Sequence, residues 1–393
     1  MTDLGARYAG ASALLASVRD VVDERPEGDV VPAWAARRGW ADFLAALSEE
    51  AVDAAEREGL AAVLARCDGA PSELAVLARA VTEATVLPVD DATVVEAKAS
   101  RRASPRKSAQ VAAFGALASR VAAGRSRVVD VGSGHGHLTR HLAEALGVAA
   151  EGWERDPARV AVARALTNGG AATFVVAEAG SLAATLRRDD VVVGLHACGA
   201  LGDLAVRAAA QAGAAVALVG CCLQKRDGAR DALAGSDARL TLGRGVLGLG
   251  NARDGDDGVE DDLATRTRSR VQRRALAALL REAGHAVAAG EEMRGVNRRR
   301  ATGDFGALVG AAFGRRGLGA PTEAAAREAL AAAWRAYAVE RRMALPRAML
   351  ARLVEVWVAL DRAEHLRRGG YEAQVVAAFD ASVSPRNVAV LGA

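Results

Sequence analysis

Lysine, cysteine and aromatic residues are scarce in this chain of 393 residues, and each scarcity excludes something. Four cysteines, Cys67, Cys198, Cys221 and Cys222, show no C-x-x-C spacing, which excludes a disulfide framework and the common paired-cysteine zinc spacing. That usage suits a reducing cytoplasm. No uninterrupted apolar run approaches 20 residues, which argues against a membrane-spanning helix. The first residues lack the basic-then-apolar layout of a secretory signal, so a soluble, cytoplasmic chain is expected. Aromatic residues make up 4% of the sequence, too few to interleave a basic surface with stacking rings. A net charge of +3 permits a nucleic-acid partner without requiring one. Of 51 basic residues only three are lysine, Lys98, Lys107 and Lys225. All three flank the motifs below, where a compact ammonium would serve and the wide fork of arginine would not.

The most informative stretch is Arg127-Val-Val-Asp-Val-Gly-Ser-Gly-His-Gly-His-Leu-Thr-Arg140. Val128, Val129 and Val131 read as a buried strand with Asp130 near its end. Gly132, Gly134 and Gly136 make a turn free of side chains, and Leu138, Leu142, Ala143 and Leu146 begin a helical period. Strand, glycine turn and helix together bring a nucleotide-like ligand against bare backbone. A dinucleotide fingerprint would need glycine where His137 stands, and a P-loop would need a Gly-Lys-Ser/Thr ending that is absent. The pattern D-x-G-x-G-x-G resembles the first motif of class I S-adenosylmethionine (SAM) methyltransferases. Their ligand has no pyrophosphate and carries a cationic amino acid, so an acid at the strand tip makes electrostatic sense.

Residues 1–85 read as a helical region, with Ser48 capping a second helix after Trp40–Leu47 and a looser stretch at Leu87–Asp91. Ser104-Pro-Arg-Lys-Ser108 reads as a helix start running to about Ala122. Helices then alternate with strands near Val148–Glu154, Ala172–Ala177, Val191–Leu195 and Ala215–Gly220, which predicts an α/β fold with a parallel sheet wound on both faces. After Lys225 the alternation stops. Residues 226–345 read as a helical insertion after strand five, with helices at Leu263–Ala283 and Thr322–Met343 and loops such as Arg253–Asp257. A helix over 346–366 and two strands, Ala373–Phe379 and Val388–Leu391, follow. Their short turn makes the last pair antiparallel. The expected core is therefore 100–225 plus 346–393, a Rossmann-like class I methyltransferase sheet of parallel strands closed by an antiparallel hairpin.

Within that plan, the backbone of Gly132, Ser133, Gly134 and Gly136 would pack on the ligand, beside Asp130. Glu154, at the end of the next strand, could accept both ribose hydroxyls, and Glu178 would lie by the adenine edge. His135 and His137 read as turn and helix-start residues rather than a catalytic base. A second constellation, Leu195-His-Ala-Cys-Gly199 and Cys221-Cys-Leu-Gln-Lys225, should converge at the tips of strands four and five. His196, Cys198 and Lys225 are the catalytic candidates, orienting or deprotonating the methyl acceptor. The cysteines could instead be soft-metal ligands or small packing residues, and no metal site is assigned. Asp203 could cap a helix starting near Gly202.

Taken together, these motifs resemble one methyltransferase-like family, which includes ribosomal RNA adenine dimethylase domain-containing protein. The likeness lies in His-Ala-Cys-Gly, Gly-Cys-Cys-x-x-Lys and Ser-Pro-x-Lys. It extends to Gly39–Ser48, Leu360–Arg362 and Phe379–Asn387, and is weaker in 226–345. It implies SAM as cofactor and methyl transfer as activity. Leu223 stands where the family often has an aromatic, and no Asn-Pro-Pro-Tyr motif is present, which disfavours methylation of a flipped base. RNA is a permitted acceptor: Arg266–Arg300 holds ten arginines against three acids. Protein and small-molecule acceptors stay open, as do a non-catalytic binding module and the oligomeric state. A nicotinamide oxidoreductase is disfavoured by His137.

Overall fold

A computed structural model describes residues 3–88, 104–167, 169–235, 240–250, 263–288 and 290–393. Lys98, the Val89–Asp91 end of the looser stretch and the Arg253–Asp257 loop lie outside them. The chain divides into two compact units. One comprises residues 1–19, 80–254 and 350–393, and the other residues 20–79 and 255–349. The first helix and the described residues 226–235 and 240–250 group with the sheet.

The first unit is built on a seven-stranded sheet. Five parallel strands are β1 (Arg127–Val131), β2 (Ala149–Glu154), β3 (Ala172–Val176), β4 (Asp190–Cys198) and β5 (Ala215–Cys221). A two-residue pair, β6 (Arg230–Asp231) and β7 (Thr241–Leu242), forms a separate small ribbon. The closing strands are β8 (Ala373–Ala377) and β9 (Val388–Gly392). The order across the sheet is β3-β2-β1-β4-β5-β9-β8, with β9 antiparallel to both neighbours. This is the expected class I methyltransferase arrangement. Near-continuous valine and alanine in β1, β4 and β5 reflect burial on both faces. Helices Pro105–Val121 and His137–Leu146 set Phe114, Leu117 and Leu142 against Val128, Val191, Val193 and Val219. Alternate residues of β5 face helix Ala351–Arg368: side-chain bulk added at Gly220 would strike Arg362, and at Gly392 it would meet Leu366 and Val216.

Two helix boundaries differ from the sequence reading. Helix Ala200–Ala212 begins three residues before Asp203, so Asp203 lies inside its first turn and does not cap it. The expected break at Pro346 is absent: helix Glu323–Met349 runs through that proline, and the interruption falls at Leu350. Proline removes one intrahelical bond, but Leu345, Pro346 and Met349 are all buried, and packing outweighs that loss.

The second unit is helical. Val271, Leu276, Leu279, Phe305, Leu308, Phe313 and Tyr337 form its core. Ser48 caps helix Glu49–Glu58, accepting from the Ala51 N–H at 3.2 Å, and Arg341 is held by Glu49, Asp53 and Glu56 of that helix. Among the described residues no helix is long and apolar enough to cross a membrane.

Candidate active site

The carboxyl ends of β1 to β5 lie side by side, and the sequence-predicted residues of the core gather there or just beyond. The glycine turn needs its glycines for different reasons. Gly132, Gly134 and Gly136 all have positive φ, at 71°, 55° and 74°, a region costly for other L-residues. A Cβ on Gly136 would also lie 2.2 Å from the Phe174 ring, whereas one on Gly134 would meet nothing within 4 Å. The Trp153 carbonyl accepts from the Gly132 and Ser133 N–H groups, pinning the turn to β2. Glu154, buried at the end of β2, accepts from the Gly134 N–H at 3.1 Å and from the Asp156 N–H at 3.1 Å. Ser133 Oγ is buried with no partner. Glu154 keeps lone pairs beyond these two bonds, next to the open face of Gly134, which fits a ligand with hydroxyl donors lying on the turn.

Asp130 is fully buried and accepts from Thr139 Oγ1 at 2.6 Å, which ties the strand tip to the following helix. Burial pushes its carboxyl up to about 6, against the pull of Thr139 and of the Lys107 ammonium. Glu178 follows β3 and is exposed, and its carbonyl starts a short 3₁₀ turn through Ser181. His135 is exposed; His137 opens the helix after the turn.

The β4 and β5 tips bring the second constellation together. The β4–β5 register shifts between Leu195 and Ala197, and His196 at the bulge has φ 74°. Positive φ in a non-glycine residue marks a local cost that the surroundings sustain. His196 Nε2 lies 3.0 Å from Gln110 Oε1. That oxygen can only accept, so Nε2 carries the proton and Nδ1 keeps a lone pair. Burial, together with Lys107, Arg386 and Arg106, pushes the imidazole down to about 4, so it is neutral near pH 7. Cys198 and Cys221 pair across the register with their sulfurs 2.9 Å apart. The Cys221 thiol is pushed up by its hydrogen bond with Cys198 and by burial. The Cys198 thiol is pushed down to about 6 by Cys221 against the effect of burial, with help from Lys225. The Lys225 side chain is exposed, while its carbonyl closes on Gly199, where any Cβ would fall 1.8 Å from it.

Sequence reasoning missed several residues at this end of the sheet. Lys107 stood out as one of three lysines but received no role. Burial lowers its ammonium, and the charges of Asp130 and Cys221 oppose that shift. Gln110, one helical turn on, carried no sequence signal. Gly152 of β2 makes room for Phe174 and for Ser133 Oγ, which a Cβ would approach to 2.5 and 2.8 Å. Asp203 belongs to a buried network instead of a cap. It accepts from Arg226 at 2.9 Å, Arg230 at 3.0 Å and Arg362 at 2.9 Å, and Arg230 also donates to Asp361 at 2.7 Å. Arg362 donates in addition to the Gly199 carbonyl at 3.3 Å, so the network braces the β4 tip from behind. The Leu360-Asp-Arg362 stretch singled out by resemblance supplies two of its members. Ser384 accepts from Arg106, and Arg386 acts electrostatically on His196 and Cys198.

Residues 106–227 match the family described as a methyltransferase domain. No curated protein matches the sequence. Among solved structures, the chain is similar to a sugar N-methyltransferase from Streptoalloteichus sp ATCC 53650, at 26% identity and a TM-score of 0.24. That match covers 28% of this chain and 49% of the other. It is also similar to a magnesium protoporphyrin IX methyltransferase from Synechocystis PCC 6803 with bound SAM, at 19% identity, a TM-score of 0.25, and coverage of 30% and 64%. The chain thus spans about half to two thirds of the length of these two, and likeness at such scores carries no argument about chemistry. The methyltransferase-domain match lies within the sheet-bearing unit, and the strand order and the glycine turn agree with it.

Proposed function

We propose that this chain moves the methyl group of SAM to a nucleophilic atom presented at the tips of β4 and β5. The observation that carries this reading is the Glu154–Gly134 bond across the β1–β2 tips, next to the open face of Gly134. Glu154 keeps free lone pairs for the ribose hydroxyls, since a carboxylate can accept about four hydrogen bonds. The backbone of Gly132, Ser133, Gly134 and Gly136 lies under the donor, Asp130 lends negative charge toward its cationic end, and Glu178 flanks the adenine edge. Bound SAM supplies an already activated methyl group, so positioning can provide most of the rate.

On the acceptor side His196 offers Nδ1 as a hydrogen-bond acceptor. With an imidazole held near 4 it is a weak base, suited to orienting an acceptor proton more than to removing it. Cys198 and Lys225 complete the polar rim. An RNA acceptor is favoured by the helical unit, where Arg268, Arg270, Arg281, Arg294, Arg298, Arg299 and Arg300 are exposed. Arg273 and Arg274 are engaged by Glu292 and Glu340. Membership of the narrower family named above, by resemblance, is part of this proposal.

The test is incubation of methyl-labelled SAM with the purified chain and extract from cells lacking it, followed by nuclease or protease digestion. Label lost on nuclease treatment supports RNA, and label lost on protease treatment moves the acceptor to protein. Calorimetric affinity for NAD and none for SAM would overturn the reading. Glu154→Ala and Asp130→Ala should each weaken SAM at least tenfold. His196→Ala should slow turnover at nearly unchanged SAM affinity.

A further inference from the structure

The three cysteines at the β4 and β5 tips have a geometry that packing does not require. Neighbouring residues on a strand project to opposite faces, so Cys221 and Cys222 should point apart. Instead Cys222 adopts φ 41°, and its sulfur turns back toward its neighbour. The Sγ atoms of Cys198, Cys221 and Cys222 all lie within 4.8 Å of one another. Left-handed backbone costs a β-carbon-bearing residue on the order of 1–2 kcal/mol. Cys198 and Cys222 are only half-buried, so the cluster has an open side, unlike a cysteine spent on filling a core.

From this convergence we infer that Cys198, Cys221 and Cys222 form a three-thiolate site for a zinc ion. Zinc bonds thiolate sulfur at about 2.3 Å in a tetrahedral array, which puts neighbouring sulfurs roughly 3.8 Å apart. The Cys198–Cys221 pair, at 2.9 Å, must therefore open by a little under 1 Å, and the other two spacings are no wider than 4.8 Å. Three thiolates on one dication leave a net charge of −1. Lys107, Lys225 and Arg386, whose charges act on Cys221 or Cys198, oppose it. Cys198 and Cys221 end two adjacent inner strands of the sheet, and Cys222 follows directly on β5. His196 does not supply the fourth position, because neither ring nitrogen joins the three sulfurs within 4.8 Å of one another. Sites with three protein ligands keep the fourth for water or a substrate atom, and here the open side would provide it.

The site is testable without any assumption about methyl transfer. The full chain, purified reduced and stripped with a chelator, is titrated with cobalt(II) and then with zinc against a chromophoric chelator. One cobalt per chain should bind with a thiolate-to-metal charge-transfer band, and zinc should displace it. Cys198→Ser, Cys221→Ser and Cys222→Ser should each weaken zinc at least tenfold. Cys67→Ser, which alters the free cysteine of the helical unit, should change nothing. Thermal melts of the metal-free variants check folding, and Cys222→Ala serves if a serine variant fails to fold. Absence of the charge-transfer band would overturn the inference. So would wild-type zinc affinity in a folded Cys198 or Cys222 variant. Calorimetry with SAM on the same preparations reports the donor site separately, so either conclusion can fall alone.

Discussion

Asp203→Asn should be the most damaging conservative substitution in the sheet-bearing unit. Asp203 and Asp361 face three guanidinium groups, those of Arg226, Arg230 and Arg362, and all but Arg226 are almost wholly buried. The native cluster has one excess positive charge, and the substitution leaves three cations against one carboxylate. Arg226 Nε and Arg230 Nη1 already lack partners, so no spare acceptor nearby can compensate. Removing one partner from a buried ion pair costs about 3–5 kcal/mol. At roughly 2–4 °C per kcal/mol for a domain of 150–250 residues, Tm should fall by about 6–20 °C. Differential scanning calorimetry reads this directly. Arg362→Met is the control, because it leaves two cations against two carboxylates and removes a group whose burial already lowers its pKa. It should cost clearly less stability than Asp203→Asn, while loosening the Gly199 carbonyl and slowing turnover. The pH dependence has a definite sign. Burial opposes the Asp203 charge, but Arg362 and Arg230 hold the carboxyl well below the usual range. Its stabilisation is therefore complete above about pH 4 and is lost as pH falls below the ordinary aspartate value. Asp203→Asn should flatten that acid limb. A loss under about 1 kcal/mol, or a larger loss for Arg362→Met, would refute the reasoning.

Other expectations follow from the site. Lys107→Met removes a cation that lowers both His196 and Asp130. Both pKa values should rise, visible for His196 as an upward-shifted imidazole titration by NMR. Gly136→Ala combines left-handed strain with a clash against Phe174, for a loss of roughly 2–5 kcal/mol in urea denaturation. Gly134→Ala, with open space around its Cβ, should lose only about 1–2 kcal/mol yet weaken SAM more than tenfold. Asp130 holds its proton more tightly when folded, up to about 6, so the stability it contributes fades as pH rises from about 4 to 6. Asp130→Asn should remove that slope; an unchanged pH profile would count against the burial argument.

Much of the fold was legible because local chemistry dictates it. The valines of β1, β4 and β5, the serine cap before Pro105 and the glycines of the turn are short-range signals, and each element falls within a few residues of its expected bounds. Asp130, the glycine turn and Glu154 were readable for the same reason: a strand tip followed by a glycine turn marks a ligand end in any parallel sheet. Helix ends set by packing were not, which is why Pro346 lies inside a helix and Asp203 inside a first turn.

The amino-acid sequence by itself determined the α/β alternation, the reversed final pair of strands and the glycine turn, since these follow from side-chain period and backbone freedom over a few residues. Tertiary structure alone decided how charges and sulfurs meet. Residues as far apart as Asp203, Arg230 and Arg362 must be folded together before their charges can compensate, and Lys107 acquires its role only by burial between Asp130 and Cys221. Cys222 shows the same division on the smallest scale. Sequence placed it beside Cys221, and with left-handed backbone at the strand end its sulfur joins those that the β4–β5 register has already paired.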